Sequence, residues 1–201
     1  AFIVNFNLHG EHVPSTVSVV YTPDLVEVDQ IPTCTMPHGL RMASDGLFVY
    51  SNCMMDDQLV EIDTRTFEVS RRFSVAKGSE AALQGYQVGE IITGARGITG
   101  SLGANIREGM VDPTCSPTWA QPTPDGRSIF VACNKGNEIL IVDRASLTLE
   151  GKFPVPGGPY NLAISANGQI LIASLKGAGQ VQFFDATTGK SLGLLTSTTT
   201  V

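Results

Sequence analysis

Three times in this chain an Asx-Gly pair is followed by an aspartate at the same distance: Asp45-Gly46 by Asp63, Asp125-Gly126 by Asp143, and Asn167-Gly168 by Asp185. A proline stands at one fixed distance ahead of each pair, at Pro37, Pro117 and Pro159. Recurrence without gaps over such a frame is the signature of one supersecondary unit repeated along the chain, and it limits the fold to repeat architectures. Within a unit, "HGLRMAS" (38–44) reads as a strand, Asp45-Gly46 as a hairpin turn, "LFVYSNC" (47–53) as a second strand and "QLVEID" (58–63) as a third. "FEVSRRFSV" (67–75) is the fourth, and Asx-Gly suits the hairpin because both residues tolerate positive φ. Four antiparallel strands in a unit of about 42 residues match one blade of a β-propeller, with a solenoid of such units as the weaker alternative.

Composition agrees with an all-β chain. Charged residues make up 16% of the 201, and 21 glycines and 11 prolines leave little room for long helices. The net charge of −6, with no basic run, provides no electrostatic footprint for nucleic acid, and no apolar run approaches a membrane span. The chain opens on the strand-like run Ala1-Phe2-Ile3-Val4-Asn5-Phe6, with no charged segment before it, so any targeting segment is expected to lie outside this sequence.

The units resemble the YVTN-type β-propeller repeat, in which a D-G turn precedes Y-V-T-N, a strand ending in I-D and a T-x-x-V turn. Tyr50 and Phe130 occupy the aromatic position, Val131 the valine, Ile62-Asp63 and Val142-Asp143 the strand end, and Thr66 with Val69 the turn. Cys53 and Cys133 stand where the family has asparagine, and the third unit reads Ile172-Ala173-Ser174-Leu175. The resemblance implies an extracytoplasmic protein, periplasmic or extracellular, with seven blades in the complete ring. On this reading the single domain divides into a partial blade (1–35) lacking its innermost strand, a blade (36–76), a glycine-rich insertion (77–114), and two further blades (115–156 and 157–201). Residues 77–114, with glycines at 94, 97, 100 and 103, read as a surface loop, with a divergent blade as the alternative. About four blades form an arc and not a ring, so apolar faces are expected at both ends, where further blades or a protein partner would pack.

Strand parity decides where chemistry can sit. In an up-and-down blade, the loops between second and third strands share one face of the disc with the blade-to-blade connections. That face collects Cys53-Met54-Met55-Asp56-Asp57, the start of the innermost strand at His38, and the loop with His9, Glu11 and His12, so all three histidines converge there. His9, Glu11, His12, His38, Cys53 and Met54 are therefore candidate metal ligands. Imidazole and sulfur suit copper first and zinc next, while Glu11, Asp56 and Asp57 alone would suit calcium. Solvated loop histidines and packed methionines account for the same residues without a metal.

The cysteines offer a competing use. Cys53 and Cys133 share a repeat column, Cys34 and Cys115 precede the matching prolines, and the last unit lacks both positions, which favours Cys34–Cys53 and Cys115–Cys133 disulfides. An extended connection would hold Cys34 about 10 Å from Cys53, too far for a bridge unless the chain curls back; buried free thiols are the alternative. No nucleophile motif or metalloprotease signature occurs, so a non-catalytic scaffold is the leading reading and a copper-binding or redox propeller the second. Met55, Asp56, Asp57, Trp119, Asn134, Lys135, Tyr160 and Lys176 fall on or near the same face and are the candidate partner-binding residues, with Gln121 and Asn161 beside them.

Overall fold

The computed structural model describes residues 1–6, 14–84 and 112–196. It contains four antiparallel sheets in chain order, each a propeller blade. Blade 1 comprises β1 (Phe2–Val4), β2 (Pro14–Tyr21) and β3 (Val26–Thr35). Blade 2 runs through β4 (Pro37–Met42), β5 (Phe48–Cys53), β6 (Gln58–Asp63) and β7 (Glu68–Ser74), with β8 (Ala81–Leu83) added at the outer edge. Blade 3 has β9 (Pro117–Pro122), β10 (Ser128–Cys133), β11 (Glu138–Asp143) and β12 (Thr148–Pro154). Blade 4 has β13 (Pro159–Ile164), β14 (Ile170–Leu175), β15 (Gln180–Asp185) and β16 (Ser191–Thr196). Strand β8 falls inside the stretch read as an insertion, because Ala81, Ala82 and Leu83 pair with Ser74, Phe73 and Arg72; the glycine triplets lie outside the described residues.

The repeat is written into the backbone more strictly than into the side chains. Met36, Ser116 and Gly158, each immediately before a blade's first proline, have φ of 53°, 48° and 64°. Asp57, Asn137 and Gly179 form a second left-handed column, and Phe67, Leu147 and Gly189 a third. In the Asx-Gly turns only the glycine is left-handed, with φ of 72°, 73° and 73° at Gly46, Gly126 and Gly168. The preceding residue acts through its side chain, since Asp45, Asp125 and Asn167 each accept the N–H two residues on, from Leu47, Arg127 and Gln169. The expectation of two positive-φ residues is corrected accordingly.

Alternate residues of each strand point to opposite faces, and the two middle blades are buried on both. Val17, Val19 and Ile31 of blade 1 pack with Val49, Val60 and Ile62 of blade 2. The other face of blade 2, through Tyr50, Leu59 and Phe73, meets Ile129, Val131 and Leu140 of blade 3. Blade 3 then presents Phe130, Ile139 and Phe153 to Leu162, Leu171 and Phe184 of blade 4. Three interblade cores in sequence make an open run of four blades. The outward face of blade 1 is mixed: Ile3 is 50% exposed on it, and Val26 and Val28 of the same blade are 54% and 55% exposed. Ile3 lies there opposite Ser18, and Asn5 donates to the hydroxyls of Thr16 and Ser18 at 2.7 and 2.8 Å, so its polar groups satisfy one another.

One junction carries a buried charge network. Glu61, 1% exposed, accepts two bonds from the Arg71 guanidinium, at 2.7 and 2.6 Å, and further bonds from the hydroxyls of Ser70 and Tyr50. Arg144 of blade 3 reaches across to donate to the Tyr50 hydroxyl and to Asp45, while Arg71 donates to the carbonyls of Arg144 and Ala145. Burial alone would raise the Glu61 carboxyl, but Arg71 with the Ser70 and Tyr50 hydroxyls holds it below the ordinary carboxylate range. A carboxyl whose folded-state pKa is depressed contributes stability that is full above its unfolded value, about 4.3, and is lost as pH falls through the folded value. Glu61→Gln is expected to lower unfolding stability at pH 7 by about 2–3 kcal/mol, a deficit that shrinks on acidification below about pH 4. Urea unfolding of both proteins at pH 7 and pH 3 measures it, and an equal deficit at the two values would count against the network.

Candidate functional site

The face carrying the loops between second and third strands is built from the blade-to-blade connections. The left-handed turn at Met36 bends the chain back before Pro37, which is why Cys34 comes within 5.7 Å (Cα–Cα) of Cys53 and forms a disulfide. Ser116 does the same for Cys115 and Cys133, at 4.5 Å. In blade 4 two glycines, Gly157 and Gly158, make the bend with φ of 76° and 64°, and Leu175 stands where the cysteine would be.

Asp56 and Asp57 complete the same connections. Asp56 accepts the Thr35 N–H at 2.7 Å, holding the link from blade 1 to blade 2. Asp57, 6% exposed, accepts the backbone N–H groups of Thr114, Cys115 and Ser116 and the Thr114 hydroxyl, holding the link from blade 2 to blade 3. Asn137, in the Asp57 column, accepts the Gly158 N–H at 2.8 Å and does the same for blade 4. Placing Asp56 and Asp57 on a partner-binding surface is therefore corrected: their carboxylates are spent on backbone donors that would otherwise be left unpaired.

His38 lies where the three innermost strands meet. Its Nδ1 is 2.7 Å from the carbonyl of Thr118, which can only accept, so Nδ1 carries the proton and Nε2 accepts the Tyr160 hydroxyl at 2.9 Å. The Thr118 hydroxyl in turn donates to the Tyr160 carbonyl, and the rings of Phe6, Trp119 and Tyr160 surround the imidazole edge to face. One neutral histidine thus ties blades 2, 3 and 4 together. Arg41 covers the Trp119 ring at 4.4 Å and Lys176 the Tyr160 ring at 5.2 Å.

The candidate metal set does not assemble among the described residues. Cys53 is consumed by its disulfide and both nitrogens of His38 have partners; His9, Glu11 and His12 lie outside the described residues. Of the partner-binding candidates, Asn134 donates to the Pro159 carbonyl, Lys135 pairs with Asp112, and Trp119 is packed beneath Arg41. Met55, Tyr160 and Lys176 keep part of their surface on this face. Glu61, Arg71 and Arg144 were not singled out from the sequence; their only signal is a carboxylate flanked by the apolar Leu59, Val60 and Ile62 in the third strand, "QLVEID".

No family model and no curated protein matches the chain. Among solved structures it is similar to hydrazine synthase of Kuenenia stuttgartiensis, with a TM-score of 0.65 and 18% identity over 89% of this chain and 42% of that one. Identity this low makes the likeness one of fold, and the chain spans less than half the length of that neighbour. Fold and topology together define a partial β-propeller.

Burial, and then the charge of Lys176, hold the His38 imidazole below its ordinary value, outweighing the bond to Thr118. An unfolded histidine binds a proton near pH 6.5 while the folded one does not, so stability falls as pH drops below about 6.5 toward the folded value. Replacing His38 by Asn should flatten this slope in thermal melts between pH 7.5 and 5, and an unchanged slope would remove His38 as its source. Thiol titration of the denatured protein should detect no thiol before reduction and four after it, as two disulfides require; four at the outset would exclude both bridges.

Proposed function

We propose that this chain is a non-catalytic, extracytoplasmic YVTN-type propeller segment that serves as a protein-binding scaffold within a larger assembly. The observation that carries the reading is the outward face of blade 4. Ile172 pairs with Phe183, Val181 pairs with Leu195, and Ala163 and Ile170 extend the same surface. In the repeat, Ile172 occupies the column of Tyr50 and Phe130, Val181 that of Leu59 and Ile139, and Leu195 that of Phe73 and Phe153. Those counterparts are all buried against the next blade, whereas Leu195 is 62% exposed and Ile172 and Val181 are half-buried. The face has the chemistry of an interblade core, and its occupant is another β-sheet of the same kind, from further blades or from a partner chain. The two disulfides support an oxidising compartment. The absence of a nucleophile or metalloprotease motif motivates the non-catalytic reading, with all of the polar groups traced at the junctions used to hold blades together.

The isolated chain reports on this directly. Val181→Ser or Leu195→Ser should cost less than about 1 kcal/mol, while Ile139→Ser in the covered column should cost about 2–4 kcal/mol. Denaturant unfolding measures both. A photo-crosslinking residue at position 195, in the native source, should join this face to another sheet; large losses in the first pair, or no crosslink, would overturn the reading.

A further inference from the structure

The junctions on either side of blade 3 use the same repeat columns in opposite ways. At the junction of blades 2 and 3, the columns hold Tyr50, Glu61, Arg71 and Arg144, and the two guanidinium groups fill the space beneath the Asx-Gly turns. At the junction of blades 3 and 4, the same columns hold Phe130, Ile141, Gly151 and Ala186. Both arginines are gone, and a cleft of about 930 Å³ opens there, with Phe130, Ile141 and Ala186 in its lining. Asp125 stands at its rim in the column of Asp45, whose carboxylate binds Arg144 in the filled junction. Glu150 and Asp143 add two more carboxylates, against a single base, Arg127, which sits 3.5 Å from Asp125. Thr187 and Ala186 occupy the columns of Ala145 and Arg144, whose carbonyls accept from Arg71.

We propose that this cleft is a docking site for an arginine side chain of a partner protein, which takes the place that the chain's own Arg71 and Arg144 take one junction earlier. The alkyl stem lies on Phe130 and Ile141, and the guanidinium meets the Asp125 and Glu150 carboxylates and the backbone carbonyls of the turn at Ala186. Charge and shape both select arginine: a planar fork of donors matches carbonyls and carboxylates set side by side, as Arg71 shows with Glu61 and the turn at Arg144. The site lies on the Asx-Gly face and shares no residue with the outward face of blade 4, so the two surfaces can fail independently.

The test is a titration of the isotopically labelled full chain with the peptide acetyl-Gly-Arg-Gly-amide, followed through backbone amide NMR signals. Saturable shifts are expected at Asp125 to Ser128, Ala145, Ala186 and Thr187, and the citrulline peptide, which keeps the shape and loses the charge, should bind at least about tenfold more weakly. Ala186→Arg returns the missing arginine to its column and should abolish the shifts. Asp125→Asn and Glu150→Gln, both at exposed positions that leave folding intact, should each weaken binding by about three- to tenfold. Leu195→Ser should leave binding unchanged. Equal binding of the citrulline peptide, or full affinity in Asp125→Asn and Glu150→Gln, would overturn the proposal. So would a concentration-dependent dimer abolished by Glu150→Gln, which would assign the cleft to a second copy of this chain.

Discussion

Everything in this structure follows from the requirement that an apolar sheet be covered on both faces. A blade of four short strands alternates its side chains between two surfaces, and in blades 2 and 3 neither surface is polar enough to face water. Such a sheet has no stable existence alone. It needs a neighbour on each side, and the neighbour supplied by the next stretch of chain has the same need. The result is a sequence of mutual burials that can stop only where a face is polar or where something else covers it. Blade 1 sets a polar patch, Asn5 with Thr16 and Ser18, beside exposed Ile3, Val26 and Val28. Blade 4 does not stop the sequence of burials.

Stacking alone does not set the angle or spacing of successive blades; the connections do. Each turns through a left-handed residue before a proline, and each is held by a side chain from a loop between second and third strands: Asp56 of the following blade on Thr35, and Asp57 and Asn137 of the preceding blades on Thr114 to Ser116 and on Gly158. The residue before proline is normally driven toward extended conformations, so Met36 and Ser116 are held left-handed by their surroundings and not by preference. The disulfides at Cys53 and Cys133 and the carboxylate of Asp57 are those surroundings. In blade 4, glycine takes the left-handed position at little cost and the disulfide is absent. The covalent bridge and the permissive residue are alternative solutions to one backbone problem.

The strands of blades 2, 3 and 4 were legible to within a residue or two, β8 excepted, because they rest on alternation and on turn residues, both of which are one-dimensional signals. The cysteine pairing was legible as a pattern of joint presence and absence, but the route to it was not, since nothing in the letters Thr-Met-Pro or Cys-Ser-Pro announces a left-handed bend. Among the candidate metal ligands, His38 and Cys53 were placed on one face, but their donor atoms are already in use. A sequence shows which end of a strand a side chain occupies, not that Thr118 and Tyr160 already take up both nitrogens. Asp56 and Asp57 were misplaced for the same reason. Two adjacent carboxylates look exposed until the backbone donors of two neighbouring connections are brought to them.

The junctions are also specific to their positions. Glu61 is buried only because Arg71, Ser70 and Tyr50 meet it and Arg144 closes over the group from blade 3. Were blade 2 to pack on blade 4 instead, the column of Arg144 would present Ala186, leaving the Tyr50 hydroxyl without its second partner and the space above Glu61 and Arg71 open. Conversely, packing blade 3 on the outward face of blade 4 would bring Arg144 against Ile172 and Phe183, which hold the columns of Tyr50 and Glu61, burying a guanidinium on apolar side chains at a cost of several kcal/mol. An all-apolar repeat would tolerate either arrangement, since any blade face would cover any other. Polar residues at one junction and their replacement at the next therefore make the order of the blades a consequence of side-chain chemistry as well as of chain connectivity.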